Sequence, residues 1–481
     1  MTNLSGTNLN RREAAESKGE GRESPSNFPG YREYKSSGIE WLREIPSHWD
    51  SKPLWTLFRR VKRVGYSDET LLSVYRDHGV IPKASRDDNY NKPSEDLSSY
   101  QLVEVGDLAI NKMKAWQGSV AISGYRGIVS PAYHVYECHH QEDGRYLHYL
   151  FRSKEYISGY LANSKGIRVN QWDLEPQQHS RMPALLPTLD EQKTIAAFLD
   201  YETAKIDALI DEQKRLIRLL KEKREAVISH AVTKGLDPNV PMKDSGVEWL
   251  GEVPAHWGVS RLGHYASILN GYAFPSAEFS EDESDVKLLR GVNVGVSRLR
   301  WDDTAYWDLS QGDGLGKYLL GEWQIVIGMD RPWIGEGLRI ARVRKSDMPC
   351  LLLQRVAAIS PTDYLLGNYL FDLLSSDRFK AYIEPDMTGV SVPHISPEQV
   401  LSFVIPIPPV AEQKAISSFL EKELLKIEGL LSESEEGIQL LTERRSALIS
   451  AAVTGKIDAR DWQPPASSSN AEQSASEGVP A

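Results

Sequence analysis

Glu191–Ile210, EQKTIAAFLDYETAKIDALI, returns later in the chain as Glu412–Leu431, EQKAISSFLEKELLKIEGLL. A second pair of matched segments precedes them: SGIEWLREIPSHW at Ser37–Trp49 and SGVEWLGEVPAHW at Ser245–Trp257. The stretches that separate the matched segments have similar lengths but resemble each other little. Since both pairs occur in the same order, the chain is a tandem repeat with a matched scaffold and two divergent inserts.

The EQK segments predict two long helices, a central one over 189–236 and a C-terminal one over 410–458. Prolines lie just before each helix, which is typical of a helix start. Apolar residues recur at steps of three, four or seven, the pattern of a coiled-coil seam. Neither helix can bury its seam alone, so we expect them to form an antiparallel coiled coil with a structural role. The predicted seam residues are Ile195, Leu199, Ile206, Leu209, Leu216, Leu220, Val227, Ile416, Leu420, Ile427, Leu430, Leu441 and Leu448.

The inserts contain short β-rich runs separated by Gly, Pro and Asn, and each ends in a helical pattern. This pattern predicts the α+β class: two mixed α/β domains, over 31–188 and 237–409, separated by the long helices and related by a pseudo-two-fold. Residues 1–30 and 459–481 are rich in Ser, Gly, Pro and Glu, a composition that predicts disordered tails.

Composition permits several functions and excludes few. No run of eighteen apolar residues occurs, so we expect no membrane span and a cytoplasmic protein. Cys138 and Cys350 lie far apart and imply no disulfide framework. The net charge of −11 taken alone argues against nucleic acid. However, Lys52–Arg181 holds about 18 basic against 15 acidic residues, which would suit DNA binding if a partner supplied part of the charge.

The sequence offers no catalytic residues. It has neither a GxxxxGK[ST] phosphate loop nor the Gly-rich and Asn-Pro-Pro-aromatic segments of an adenine methyltransferase. Cys138-His139-His140 has no second ligand pair at zinc spacing, so we predict no metal site. His48 and His256, repeated in the Pro-x-His-Trp segments, are interpreted as structural histidines.

The paired motifs identify a family. They are Gly-Ile/Val-Glu-Trp-Leu…Pro-x-His-Trp before each insert and Pro…Glu-Gln-Lys-x-Ile-x-x-Phe-Leu at each helix start, with Asn270–Ser276 and Thr388–Ile395 in the second insert. From about Tyr31 to Asp458 the chain resembles the specificity subunits of type I restriction-modification systems.

The resemblance implies a non-catalytic DNA-recognition subunit. Its inserts would be target-recognition domains, each contacting one half of a bipartite, asymmetric site in double-stranded DNA through the major groove. Two modification subunits would bring S-adenosylmethionine and adenine methylation, and restriction subunits would bring ATP, Mg and cleavage. No cofactor is expected on this chain.

Base edges are recognised by polar side chains, and phosphates by cationic ones. Each candidate could instead be an ordinary solvated surface residue without a role in binding. Trp116, Trp172 and Trp333 are interpreted as packing residues. Candidate base-reading residues are Arg76, His78, Asn111, Lys112, Lys114, Gln117, Arg168, Asn170 and Gln171 in the first domain, and Tyr272, Arg290, Asn293, Arg331, Thr388, Ser391 and His394 in the second. Candidate phosphate contacts are Arg59, Arg60, Lys62 and Arg63.

Three other functions stay open at this point. A coiled-coil scaffold whose inserts bind protein would give no DNA footprint even with methylation partners present. A self-contained modification enzyme would need the methylating motifs that the sequence lacks. A stand-alone DNA-binding regulator is disfavoured by the acidic balance.

Overall fold

The structure is a computed structural model that describes residues 28–39, 41–76, 78–86, 93–165, 172–309, 314–335, 337–386 and 393–465. The chain divides into two compact units. Unit 1 comprises the chain up to Glu212 together with the chain from Gly437, and unit 2 comprises Gln213–Glu436. Each long helix therefore contributes one part to each unit.

Unit 1 contains short strands, three short helices and the start of the central long helix. The strands are β1 (Tyr34–Ile39), β2 (Leu42–Pro46), β3 (Asp50–Pro53), β4 (Phe58–Val61), β5 (Leu72–Tyr75), β6 (Gly79–Pro82), β7 (Gln101–Val103), β8 (Leu108–Asn111), β9 (Val120–Ile122), β10 (Gly127–Val129), β11 (Tyr133–Cys138), β12 (Ser164–Lys165), β13 (Asp173–Leu174) and β14 (Pro183–Leu186). The helices are α1 (Gly144–Arg152), α2 (Lys154–Ala162), α3 (Pro176–Arg181) and the long α4 (Leu189–Lys234).

Unit 2 follows the same plan. Its strands are β15 (Met242–Asp244), β16 (Glu252–Pro254), β17 (Gly258–Arg261), β18 (Ala266–Asn270), β19 (Val286–Leu289), β20 (Ala305–Trp307), β21 (Ile325–Gly328), β22 (Trp333–Ile334), β23 (Gly337–Leu338), β24 (Ile340–Arg342), β25 (Cys350–Leu352), β26 (Val356–Pro361) and β27 (Val404–Ile407). Its helices are α5 (Gly367–Leu374), α6 (Asp377–Ile383), α7 (Pro397–Ser402) and the long α8 (Val410–Val453).

Each of the two divergent inserts contains a central four-stranded sheet, and the two sheets have the same topology. In unit 1 the strand order is β4-β11-β8-β9, and in unit 2 it is β18-β26-β21-β24. All pairings in both sheets are antiparallel, and the strands correspond one to one in chain order. The hairpin β1–β2 corresponds to β15–β16, and the pair β3–β14 corresponds to β17–β27. Unit 2 adds a three-stranded sheet, β20-β19-β25, within its insert.

A helix with one repeated burial pattern packs on each central sheet. In α1, Tyr146, Leu147, Leu150 and Phe151 are fully buried, and the Asp143 side chain caps the helix start. In α5 the buried residues at the same i, i+1, i+4, i+5 spacing are Tyr369, Leu370, Leu373 and Leu374. That spacing places four side chains on one helix face, and burying each is worth about 1.5–3 kcal/mol.

The matched segments hold the start of each long helix. In unit 1 the carboxylate of Glu191 accepts hydrogen bonds from Trp49 Nε1 (3.0 Å) and Tyr31 Oη (2.6 Å), and it lies 2.9 Å from His48 Nε2. In unit 2 Glu412 lies 2.7 Å from His256 Nε2 and accepts from Trp257 Nε1 at 2.9 Å. These contacts confirm the structural interpretation of the two histidines. They also explain why Pro-x-His-Trp and Glu-Gln-Lys recur together, because one segment binds the other.

The glutamine that directly follows each of these glutamates forms hydrogen bonds that connect the insert to the long helix. Gln192 accepts from Asp143 N at 2.9 Å and donates to Pro187 O at 2.9 Å. Gln413 accepts from Leu366 N and donates to Pro408 O, both at 2.8 Å. In each unit, the residue held by this glutamine lies at the start of the helix that packs on the central sheet.

The long helices pair as predicted. In unit 1, Ile195 and Leu199 near the start of α4 share a core with Ala452 near the end of α8, and Arg445 donates to the Asp207 carboxylate at 2.8 Å. In unit 2 the end of α4 shares a core with the start of α8. Pairing of each start with the other's end is the arrangement of antiparallel helices, and it confirms the predicted fold class: mixed α/β domains with two long helices.

Three predicted seam positions are wrong. Leu209, Leu216 and Leu430 are 55%, 40% and 47% exposed. Each precedes another apolar residue, Ile210, Ile217 or Leu431, that is less exposed and continues the three-four spacing. One residue turns the direction of a side chain by about 100° around the helix, so adjacent apolar residues leave the seam ambiguous in the sequence. The remaining predicted seam residues are buried or half-buried.

Candidate nucleic-acid interface

A loop follows the second strand, in chain order, of each central sheet, β8 in unit 1 and β21 in unit 2, and the same backbone hydrogen bonds hold it in both units. In unit 1, Lys112 N donates to Ala132 O at 3.2 Å, and Leu174 N donates to Lys112 O at 3.0 Å. The loop after β8 is therefore fixed between the segment before β11 and the segment before α3.

Unit 2 repeats this junction with other side chains. Met329 N donates to Arg355 O at 2.9 Å, and Ile395 N donates to Met329 O at 2.9 Å. The segments are again the loop after β21, the residue before β26 and the stretch before α7. We call these two places the junctions of unit 1 and unit 2. A shared backbone frame that carries different residues is suited to recognising different ligands of one class.

The unit 1 junction carries compact positive charge. Arg60 on β4 donates to His134 Nδ1 at 3.2 Å. Burial, together with the charges of Arg60 and Lys112, lowers the pKa of His134 to about 4. The histidine is therefore neutral at physiological pH, and the positive charge here belongs to the two cations, opposed by Asp173.

Two tryptophans stiffen the loop of this junction. The rings of Trp116 and Trp172 meet edge to face at 5.0 Å, and Trp116 Nε1 donates to Met113 O at 3.0 Å. Gly118 closes the loop at φ 92°, a left-handed conformation that glycine adopts without strain. The loop thereby exposes Lys114 and Gln117, and Asn111 is half-buried at its base.

Arg76 and His78 lie in the turn between β5 and β6, and both are exposed. The side chain of Arg76 lies beside Gly118, and its carbonyl accepts a hydrogen bond from Arg152. Arg76 is therefore next to the loop of the unit 1 junction.

The junction of unit 2 is built around Asp330. One carboxylate oxygen lies 2.6 Å from His394 Nδ1, and the other accepts from Arg355 Nη1 at 2.6 Å. Burial acts to raise the pKa of Asp330, but the bonds from His394 and Arg355 outweigh it and lower the pKa. Arg331 follows in the loop, with an exposed side chain.

Asn293 is buried, so its prediction as a base-reading residue is wrong. It is only 1% exposed, its Oδ1 accepts from Arg290 N, and its Nδ2 donates to Arg300 O and Asp303 O. Because its amide is fully engaged inside the domain, it cannot present hydrogen-bonding groups to a base. Arg290 is engaged as well, since its guanidinium pairs with the Asp303 carboxylate at 2.7 Å.

Two other candidates have internal partners, and five cannot be placed. Arg63 bridges Asp107 (2.6 Å) and Glu137 (2.8 Å), so its charge is compensated, unlike Arg59, Arg60 and Lys62, whose side chains are exposed. The partly exposed ring of Tyr272 packs against Phe274 and Tyr318. The candidates outside the described residues are Arg168, Asn170, Gln171, Thr388 and Ser391.

Sequence reasoning missed Asp330 and Arg355. It also missed that Lys114-Ala-Trp-Gln-Gly118 and Arg331-Pro-Trp-Ile-Gly335 occupy the same place after equivalent strands. The common Lys/Arg-x-Trp-x-Gly spacing is the signal that could have revealed the correspondence. Arg355 has no such signal, because strand pairing alone brings it to the junction.

Within the parts of the chain that the structure describes, no cluster of His, Cys, Asp and Glu could hold a metal ion. No helix among those residues is both long and apolar enough to cross a membrane.

Comparisons with known proteins agree with this architecture. Residues 254–428 match the family model of the type I restriction modification DNA specificity domain. The MjaVIII specificity subunit of Methanocaldococcus jannaschii, a type I restriction enzyme subunit, is 29% identical over 71% of this chain and 78% of its own length. The EcoAI specificity subunit of Escherichia coli is 33% identical over 43% of this chain and 34% of its own length.

A solved chain from work on complex assembly and conformational transition of a type I R-M system has the same fold. Its TM-score is 0.65 at 15% identity, over 86% of this chain and 99% of that one.

The two units thus share one junction frame and carry different side chains on it. Residues 254–428 carry the DNA specificity domain of type I restriction modification, and over 71% of its length the chain is similar to a type I restriction enzyme specificity subunit.

Proposed function

We propose that each unit contacts one half of a bipartite, asymmetric DNA site through its junction, in the major groove. Residues 31–188 and 237–409 act as the two target-recognition domains. The observation that carries the proposal is the repeated backbone frame: the hydrogen bonds of Lys112 in unit 1 recur at Met329 in unit 2, while the surrounding side chains differ. Because the two junctions have the same backbone arrangement but different side chains, we expect them to bind the same kind of ligand, DNA, at two different half-site sequences.

At the junction of unit 1, we propose that one group of side chains binds phosphates and another group contacts base edges. Arg59, Arg60 and Lys62 are exposed on and beside β4, and phosphates are bound by such cations without regard to sequence. Lys114 and Gln117 project from a loop stiffened by the two tryptophans, and base edges require donors in fixed positions. The exposed Arg76 and His78 extend the same surface.

The partners follow from the family. We propose that two modification subunits bind this chain and methylate adenines with S-adenosylmethionine, and that restriction subunits supply ATP- and Mg-dependent cleavage. The binding charge that an acidic chain lacks would come from these subunits. Because the DNA to be methylated lies there, we propose a cytoplasmic location.

The experiment is single-molecule sequencing of adenine methylation in the source genome, with and without this gene. We expect loss of one bipartite, asymmetric methylated motif, which would reveal both half-sites at once. An unchanged set of methylated motifs, with the modification subunit expressed and active, would contradict the proposal and favour the scaffold alternative.

A further inference from the structure

The backbone at the junction of unit 2 adopts a conformation that side chains disfavour. Arg331 has φ 45° and Arg355 has φ 68°. Residues other than glycine rarely enter this left-handed region, because the Cβ atom crowds the following carbonyl. Such strain persists only where the surrounding structure enforces it, and it is concentrated at functional sites.

Hydrogen bonds on both sides of Arg331 enforce that conformation. Arg331 N donates to Pro393 O at 2.7 Å. The buried Arg339 donates from Nη1 to Asp330 O at 3.1 Å, and its backbone N donates to Pro332 O at 2.6 Å. The residues immediately before and after Arg331 are thus tied to the domain, so its side chain leaves a rigid backbone.

The charges around Arg331 leave its guanidinium available. Asp330 already binds Arg355 and His394. Among the residues that the structure describes, no carboxylate pairs with Arg331, whose side chain is exposed. An arginine held on a rigid backbone without an acidic partner is ready for an external acceptor.

The position in unit 1 that corresponds to Arg331 carries a different type of cationic side chain. Lys114 stands where unit 2 has Arg331, and Ala132 stands where it has Arg355. Lysine offers a point charge, whereas arginine offers a planar fork of donors that fits two acceptors at once. In the major groove the base that presents two adjacent acceptors, N7 and O6, is guanine.

We infer that Arg331 forms a bidentate contact with a guanine in the half-site recognised by unit 2. This inference rests on the proposed function. A phosphate contact would not need a strained and locked backbone, because phosphate binding only positions the protein and tolerates a mobile side chain.

The test uses the full chain assembled with its modification subunits and a duplex containing the methylated motif. Each guanine of the second half-site is replaced in turn by 7-deazaguanine, which pairs normally but lacks the N7 acceptor. For the wild-type complex we expect Kd to rise about 10-fold at one guanine. For Arg331→Gly we expect weaker binding to the natural site and equal Kd values for guanine and 7-deazaguanine. Glycine adopts φ 45° without strain, so this variant keeps the loop.

Arg261→Ala is the control, because Arg261 is an exposed arginine of unit 2 that lies on β17, outside the junction. We expect it to retain the full 7-deazaguanine effect. The inference is overturned if no guanine of the second half-site is sensitive, if that half-site has no G·C pair, or if Arg331→Gly keeps the sensitivity. Failure of the proposed function would look different, since the wild-type complex would then show no preference for any motif.

Discussion

Removal of the carboxylate that starts α4 should destabilise unit 1 far more than the equivalent change destabilises unit 2. Glu191 is 4% exposed and binds Tyr31, Trp49 and His48, whereas Glu412 is 41% exposed and binds only His256 and Trp257. The repeat thus supplies its own matched control: one carboxylate in the interior and one at the surface.

The magnitude follows from the donors left behind. In Glu191→Ala the Tyr31 hydroxyl and the Trp49 N–H lose a charged acceptor inside the protein, and each such loss costs about 1.5–3 kcal/mol, which suggests about 4 kcal/mol in total. In Glu412→Ala water can replace the exposed carboxylate, so we expect about 1 kcal/mol.

Thermal unfolding and hydrogen exchange provide the assay. At about 2 °C per kcal/mol for a unit of this size, Glu191→Ala should lower Tm by about 8 °C and Glu412→Ala by about 2 °C. Faster amide exchange should be confined to peptides of the unit that carries the change. Equal Tm losses, or a larger loss from Glu412→Ala, would refute the argument from burial.

Further predictions concern other charges. Burial and Glu421 raise the pKa of Asp372 to about 7. A carboxyl whose pKa is raised by folding weakens stability as pH rises, here from about pH 4 to above 7, so Asp372→Asn should be stabilised by about 2 kcal/mol at pH 8 and little at pH 4 in urea unfolding. Arg63→Ala leaves Asp107 buried without its cation and should cost about 3 kcal/mol of unfolding free energy; an unchanged urea midpoint would disprove this. Arg60→Ala should change stability by less than about 0.5 kcal/mol but reduce the salt-dependence slope of DNA binding by about one; an unaltered slope would exclude a phosphate contact.

The sequence determined the repeat, the two long helices and the resemblance to a known family, since each rests on a local pattern that appears twice. The structural role of the two histidines was also predicted correctly, because the Pro-x-His-Trp segment recurs together with a Glu-Gln-Lys segment and this can be recognised without coordinates. The seam failed at Leu209, Leu216 and Leu430, where two adjacent apolar residues compete and only helix rotation decides between them.

The tertiary structure alone decided which polar residues are available to a ligand. Asn293 and Arg331 are both polar residues in loops of one insert, yet one is enclosed by three hydrogen bonds and the other is exposed. Arg355 joins the junction only through the pairing of β21 with β26. Burial and long-range pairing depend on residues distant in the chain, so no local pattern records them, whereas helix periodicity and repeated motifs are local and can be recognised in the sequence.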